Sequence, residues 1–405
     1  MKINNTDYDI AIVGAGLVGS IQALLLAQQG FNILLLDVFA EPQQKYLNAD
    51  HSMNLHLPPD LRMSAITLKS EDILTELGVW DLIKLRSGVM QKTEAWEEQG
   101  SAEIIFDSLR IGKNHLSTIV ENNLLHELIN AQLKSTKNVV IKRPCTILDI
   151  QHKANNLHDI LTQDNNYSVK LIIGADGANS WVRKYFNFDC TVKDYNHTAL
   201  VTNIYTEKPH DNIAYQKFLK TGPLAFLPWM HPYCSSIVWS QNKEQADYWQ
   251  NCSEIEFHKG LEEHCNTRLG KITASLSRVS YPLIMRHVKQ YYKSGVVLIG
   301  DAAHTIHPLA GQGLNLGIYD AYELTNILIM AKQRNYNINH DQILHKYQLK
   351  RRGHNQQMLN TMQFFKDIYA SDYQSINLIR SIGINALNNI DFIKKKIMNF
   401  AAGQY

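Results

Sequence analysis

Residues 295–317 read "GVVLIGDAAHTIHPLAGQGLNLG". The run Gly295–Ile299 is short, rich in β-branched residues and followed by Gly300, which predicts a buried strand. The chain leaves that strand through an acid, Asp301, and then crowds Gly300, Gly311, Gly313 and Gly317 into one segment. A turn needs one or two glycines, so this density predicts main chain kept open for close approach by a ligand. An aspartate at the carboxyl end of a buried strand loses hydration unless a ligand or backbone donors pair with it. The competing reading of Asp301 is the N-cap of the next helix.

Two other apolar runs end in the same manner. Residues 9–37, "DIAIVGAGLVGSIQALLLAQQGFNILLLD", read as strand, turn, helix closed by Gly30, and second strand. Gly14 permits the tight turn, Gly16 lets a pyrophosphate reach the backbone, and Gly19 allows close helix–strand packing. Asp37 ends the second strand, where a carboxylate accepts from a ribose hydroxyl. This unit predicts dinucleotide binding but does not separate NAD from FAD. Residues 169–180, "VKLIIGADGANS", predict a third buried strand that runs into a glycine turn and places Asp176 just beyond its end.

Between these points, 61–83 reads as a helix ending near Gly78, and 121–133 has helical apolar spacing. "NVVIK" and "CTILDI" read as strands. From about 190 to 282 the alternating, aromatic-rich segments "HTALVTNIY", "PLAFLPWM" and "SSIVWS" predict an antiparallel sheet with one face open to a ligand. Residues 340–405 read as helical, with Ile379, Ile382, Ala386, Ile390, Ile393, Ile397 and Phe400 on one face beside Lys394, Lys395 and Lys396.

A net charge of +2 and the lack of a polybasic tail argue against nucleic acid as a partner. The seventeen histidines are scattered, without HExxH or paired metal-ligand spacing, so no metal is expected. Five cysteines without a CxxC pair suit a reducing compartment. No apolar run approaches the length of a membrane span, and Asp7 and Asp9 interrupt any signal-peptide core. The expectation is a cytoplasmic protein, with peripheral attachment to the inner membrane left open.

Together the three strand ends resemble the class A flavoprotein aromatic hydroxylases, the group that contains para-hydroxybenzoate hydroxylase. The segments "DLRMSAI", "LGVWD", "IGADGANSWVR", "GPLAFLP" and "GDAAHTIHPLAGQGLNLG" resemble, within that group, the ubiquinone-biosynthesis hydroxylases. The resemblance implies an α/β fold: a Rossmann-like FAD-binding domain (1–75, 105–185 and 283–340), interrupted by an antiparallel-sheet substrate domain (76–104 and 186–282). A helical region, 341–405, follows. It implies FAD as resident cofactor, NAD(P)H as transient reductant, O2 as co-substrate and a flavin C4a-hydroperoxide as oxidant. The implied substrate is a polyprenylated quinol of the 3-demethoxyubiquinol type; a paralogous hydroxylase acting at another ring carbon and a non-catalytic flavin-binding assembly subunit are the alternatives.

By the same resemblance Asp301 binds the FAD ribityl chain, and Asp176 and Arg183 lie near the pyrophosphate. Gly311, Gln312, Gly313, Leu314 and Asn315 wrap the flavin with backbone N–H groups. Arg62 stands near the flavin, or else makes a surface ion pair. Pro308 lies against the flavin edge or simply stiffens its loop. His304 and His307 are acid–base candidates or loop anchors. Phe226, Leu227, Pro228 and Trp239 are candidates for an apolar substrate wall, the alternative being the sheet core. A polyprenyl quinol is nearly insoluble in water, so the enzyme meets it at a membrane or in a ubiquinone-biosynthesis complex. The tail stripe beside its lysines offers a membrane contact, unless it packs on the protein.

Overall fold

The computed structural model describes residues 7–48, 52–98, 103–153, 156–266, 268–305, 313–369 and 398. Five parallel strands form the spine of an eight-stranded sheet, the first layer. Their order is Val296–Leu298, Asn166–Gly174, Asp7–Val13, Ile33–Leu36 and Val139–Lys142. All four residues of Ile33–Leu36 are buried, as expected for a strand covered on both faces. The lower half of Asn166–Gly174 pairs instead with His158–Thr162, which carries Ile147–His152 in antiparallel order.

Helix Leu17–Gln28 is buried along its whole middle, Gly19 to Ala27, because helices Asn122–Lys134 and Gly313–Gln333 flank it. A hydrogen bond of 2.7 Å from Gln22 Nε2 to Thr325 Oγ1 fixes its register on the second of these.

Residues 61–83 do not form the single helix that their spacing predicts. Met63–Thr67 is a strand, followed by helices Leu68–Glu76 and Trp80–Lys84. Every residue of Met63–Thr67 is buried, and Ser117–Glu121 pairs with it antiparallel. A sheet partner distant in sequence overrides local helical periodicity here. Gly88–Met90 completes this three-stranded sheet. Trp80 and Ile83, from the segment expected to join the substrate sheet, pack in the core of the first layer.

The large sheet contains the antiparallel strands expected between 190 and 282: Cys190–Thr206, Gly222–Pro228, Cys234–Asn242 and Val279–Val288 among them. Ile213–Leu219 is antiparallel to Gly222–Pro228 but parallel to Lys92–Glu97, so the sheet is mixed. Helices Lys243–Asn251 and Glu254–Cys265, not foreseen from the sequence, cover one face; the second opens on a capping box of Ser253 and Glu256. The tail supplies a long helix, Asp341–Tyr369, while the apolar stripe from Ile379 to Phe400 lies outside the described residues. Among the described residues no helix is long and apolar enough to cross a membrane.

Two buried histidines give the fold a pH signature. Burial pushes both His158 and His287 down to about 4, so the folded protein holds them neutral. The unfolded chain protonates them near pH 6.5. Their stabilising contribution is therefore complete above about pH 6.5 and is lost as pH falls toward 4. Denaturant titrations should show unfolding free energy falling across that window, with His287→Gln flattening part of the slope; an unchanged slope would contradict this assignment.

Candidate functional site

Register sets the site. Val13 is level with Gly174 and with Leu36, and Gly174 is level with Leu298. The three glycine–acid segments therefore emerge side by side at one carboxyl edge, although they lie far apart in sequence. Ligands of open parallel sheets bind at this edge.

Gly14 has φ +105°, and a Cβ there would collide with the carbonyl of Ala175, so only glycine lets the first and middle turns touch. A Cβ on Gly19 would strike the carbonyl oxygen of Gly14. Gly16 differs: space beside it is open, and it caps the first helix without a side-chain hydrogen bond. Its helix N-terminus thus faces the edge with free N–H groups, which suits a phosphate.

Asp37 braces this turn. Its Oδ2 accepts from Ala15 N–H at 2.5 Å and its Oδ1 from Phe39 N–H at 2.8 Å. The Ala15 carbonyl accepts from Ser20 Oγ and lies 2.7 Å from His126 Nε2. Each Asp37 oxygen retains a second lone pair, so bracing the turn does not bar a ribose hydroxyl.

Asp176 Oδ2 accepts from Val182 N–H at 3.0 Å, while its Oδ1 is buried without a partner. Arg183, expected at the pyrophosphate, is 7% exposed and spends its guanidinium on two carbonyls: Ala302 at 2.9 Å and Ala178 at 2.7 Å. It joins the middle turn to the late one.

Asp301 occupies a short 3₁₀ turn, Gly300–Ala302. Among the described residues its carboxylate accepts no hydrogen bond, and its surface is exposed. Surrounding protein nonetheless strips enough water to raise its pKa, against the opposing charges of His304, Arg62 and Arg286. Arg62 is exposed, 5.3 Å above the Tyr281 ring, and makes no close ion pair among the described residues.

His304 is 2% exposed, its Nε2 2.5 Å from Asp320 Oδ2 and its ring stacked on Tyr291. This geometry is that of an anchor buried beneath the loop. Pro308, His307, Gly311 and Gln312 lie outside the described residues. Gly313 and Leu314 open the helix Gly313–Gln333 half-buried, with free space beside Gly313. Asn315 is spent on structure: its Oδ1 accepts from Thr67 N–H at 3.0 Å and its Nδ2 donates to Ala65 O at 2.7 Å.

The four candidates for a substrate wall do not share a face. Phe226 and Trp239 are buried with Phe257 and Leu261 beneath the covering helices. Leu227 points to the opposite side, among Met63, Ala65, Ile119 and Cys234. Neighbours in a strand alternate, so Phe226 and Leu227 cannot form one wall. Pro228 ends its strand buried, its carbonyl pressed against Gly88.

Sequence reasoning missed Asp320, Arg351 and Asn355, which lie under the late turn. The readable signal was an acid in the apolar run "LNLGIYDAY", since a carboxylate in a buried helix face requires partners.

The edge fits a dinucleotide. The helix start at Gly16, the orphaned Asp176 Oδ1 and the Asp301 carboxylate, which accepts no hydrogen bond among the described residues, all stand there, and the open space beside Gly16 and Gly313 gives the main chain access.

The comparisons agree with this geometry. The family described as FAD binding domain matches residues 7–362. The 3-demethoxyubiquinol 3-hydroxylase of Escherichia coli is 31% identical over 403 residues, covering 99% of this chain and 100% of that protein. The mitochondrial ubiquinone biosynthesis monooxygenase COQ6 of Xenopus tropicalis is 30% identical over 445 residues, 98% of this chain and 93% of that protein. In fold, p-nitrophenol 4-monooxygenase from Pseudomonas putida superposes with a TM-score of 0.75 at 17% identity, over 98% of each chain. The chain belongs to the FAD binding domain family, among its flavin-dependent monooxygenases.

Proposed function

We propose that this protein hydroxylates the aromatic ring of a polyprenylated quinol of the 3-demethoxyubiquinol type, with FAD as resident cofactor, NAD(P)H as reductant and O2 as oxidant. The observation that carries this reading is the level alignment of Val13, Gly174 and Leu298 beneath donors and acceptors that the protein leaves open. Full-length likeness to two ubiquinone-pathway enzymes supports the substrate class.

FAD, when bound, supplies the redox chemistry: it accepts hydride from NAD(P)H and activates O2. The chain's own residues bind and orient. Gly14, Gly16 and Gly19 give the pyrophosphate a helix N-terminus, Asp37 keeps that turn closed, and Asp176 and Asp301 offer acceptors to sugar hydroxyls. Gly313 and Leu314 present the start of a second helix to the same cofactor. Arg62 and Arg286 put positive charge beside Asp301, where it stabilises an anionic ring.

Leu227 packs with Met63, Ala65 and Ile119 in the core between the large sheet and the three-stranded sheet, so the apolar substrate is not assigned to that wall. Phe226 and Trp239 hold the opposite face to its helices. Such a substrate is delivered from a membrane surface or from a ubiquinone-biosynthesis assembly, because free diffusion in water is negligible.

Three measurements test the reading. Protein supplied with a demethoxyquinol, NADH or NADPH, and O2 should release a quinol heavier by one oxygen, identified by mass spectrometry; NAD(P)H oxidation without that product would refute a hydroxylase. Asp301→Asn should weaken FAD binding about tenfold or more, the scale of losing a charge-assisted hydrogen bond. The same substitution should leave the melting temperature of the flavin-free protein unchanged or higher, since the raised pKa marks a carboxylate whose ionisation costs stability at neutral pH. Retained FAD affinity in that variant would remove Asp301 from the cofactor site.

A further inference from the structure

We propose that Asp320 is a positioning residue for the flavin: its buried carboxylate sets the conformation of Gly300–His304, and with it the aim of Asp301. The inference rests on the reading of Asp301 as an FAD-binding residue. It adds a residue that never reaches the edge itself.

Asp320 is fully buried in helix Gly313–Gln333. Its Oδ2 accepts from Gly300 N–H at 3.0 Å and lies 2.5 Å from His304 Nε2. Those two contacts grip both ends of the segment that carries Asp301. Its Oδ1 accepts from Arg351 Nε at 2.7 Å and from Asn355 Nδ2 at 3.3 Å, both on helix Asp341–Tyr369. Burial alone would raise its pKa, but His304 and Arg351 hold it well below the carboxylate range, so the group is an anion.

An anionic carboxylate only accepts, which keeps a proton on His304 Nε2 and fixes the ring against Tyr291. Tyr291 is held in turn: its hydroxyl accepts from Asn355 Nδ2 at 3.1 Å and lies 3.0 Å from His287 Nε2. The middle of the segment has separate supports, with Arg183 donating to Ala302 O and Val288 N–H donating to Ala303 O. Asp301 is thus the one residue of Gly300–His304 whose side chain faces the edge between fixed neighbours.

A buried ion pair is replaceable by apolar packing where stability alone matters. No apolar side chain could accept from Gly300 and His304 together, so the carboxylate here serves geometry. The C-terminal helix is tied into the same arrangement, and Tyr347 also donates to Leu298 O at 3.1 Å, on the strand that leads into the turn.

A double-mutant cycle on FAD affinity in the full-length chain tests the proposal. Asp301→Asn and Asp320→Asn should each weaken FAD binding about tenfold, and the double variant should bind nearly as well as the weaker-binding single. That non-additivity separates positioning through Asp301 from general loosening, which would multiply the two losses. Wild-type affinity in Asp320→Asn, or full additivity in the double variant, would overturn the proposal. Should Asp320→Asn fail to fold because Arg351 loses its counter-charge, Asn355→Ala removes one donor and keeps the ion pair. The cycle then runs at a few-fold amplitude, with non-additivity supporting the proposal and additivity overturning it. A wild-type chain that binds no FAD would sink both this proposal and the proposed function. FAD binding and hydroxylation with an additive cycle would sink this proposal alone.

Discussion

Contact between main chains at the ends of three parallel strands is the constraint on which the structure depends. Gly14 lies against Ala175 with no room for a Cβ, and Gly19 lies against Gly14. Gly317 abuts Val18 so closely that an added Cβ would come within 2.5 Å of its Cγ2, and Gly300 packs on the same side chain. The first, middle and late turns are therefore interlocked through backbone and one valine, not through long side chains that could adjust. Interiors packed in this way do not deform continuously. Displacing any one strand by a residue would break the contacts of the other two.

With the strands fixed, the polar groups at the edge divide into those the protein satisfies and those it leaves open. Asp37, Arg183 and Asn315 are matched to backbone partners. Among the described residues, Asp301 and the Oδ1 of Asp176 are not. Buried or poorly hydrated carboxylates without donors cost stability, and a fold tolerates them where a ligand supplies the missing hydroxyls. Of the residues that the motif reading placed at the cofactor, Asp37 also braces the first turn, Arg183 joins the middle turn to the late one, and Asn315 ties its helix to Met63–Thr67. A site that must bind backbone-first needs its loops rigid before it needs more ligand contacts.

The three glycine turns were legible in the sequence because each is a local event: an apolar run that ends in glycine, with an acid at once in the middle and late turns and at the end of the next strand in the first. Helix Asn122–Lys134 and the antiparallel strands after 190 were legible for the same reason. Met63–Thr67 was not, since its strand exists only through pairing with Ser117–Glu121, some fifty residues away. Phe226 and Leu227 show a different limit. Alternation alone places them on opposite faces, but nothing local says which face the helices after Asn242 will cover. Arg351 and Asn355 were hidden for a third reason, because their partner Asp320 belongs to another helix.

The late segment also decides how the two large sheets are joined. Val296–Leu298 lies in the parallel sheet, and six residues later His304–Thr305 pairs with Arg286 and His287 in the mixed sheet. Asp301 sits in the crossing. Arg286 approaches it from the mixed sheet, and Arg62 approaches from beside Tyr281 of that sheet. A crossing this short leaves little freedom for one sheet to turn against the other at that point. The cofactor edge and the face that carries Leu227 are consequently held in one frame by the same few residues. For a monooxygenase that arrangement has a chemical meaning: oxidant and substrate must be registered to within a fraction of a bond length, and a second short crossing, from Val288 in the mixed sheet to Tyr292 beside Val297, ties the two sheets at the same place.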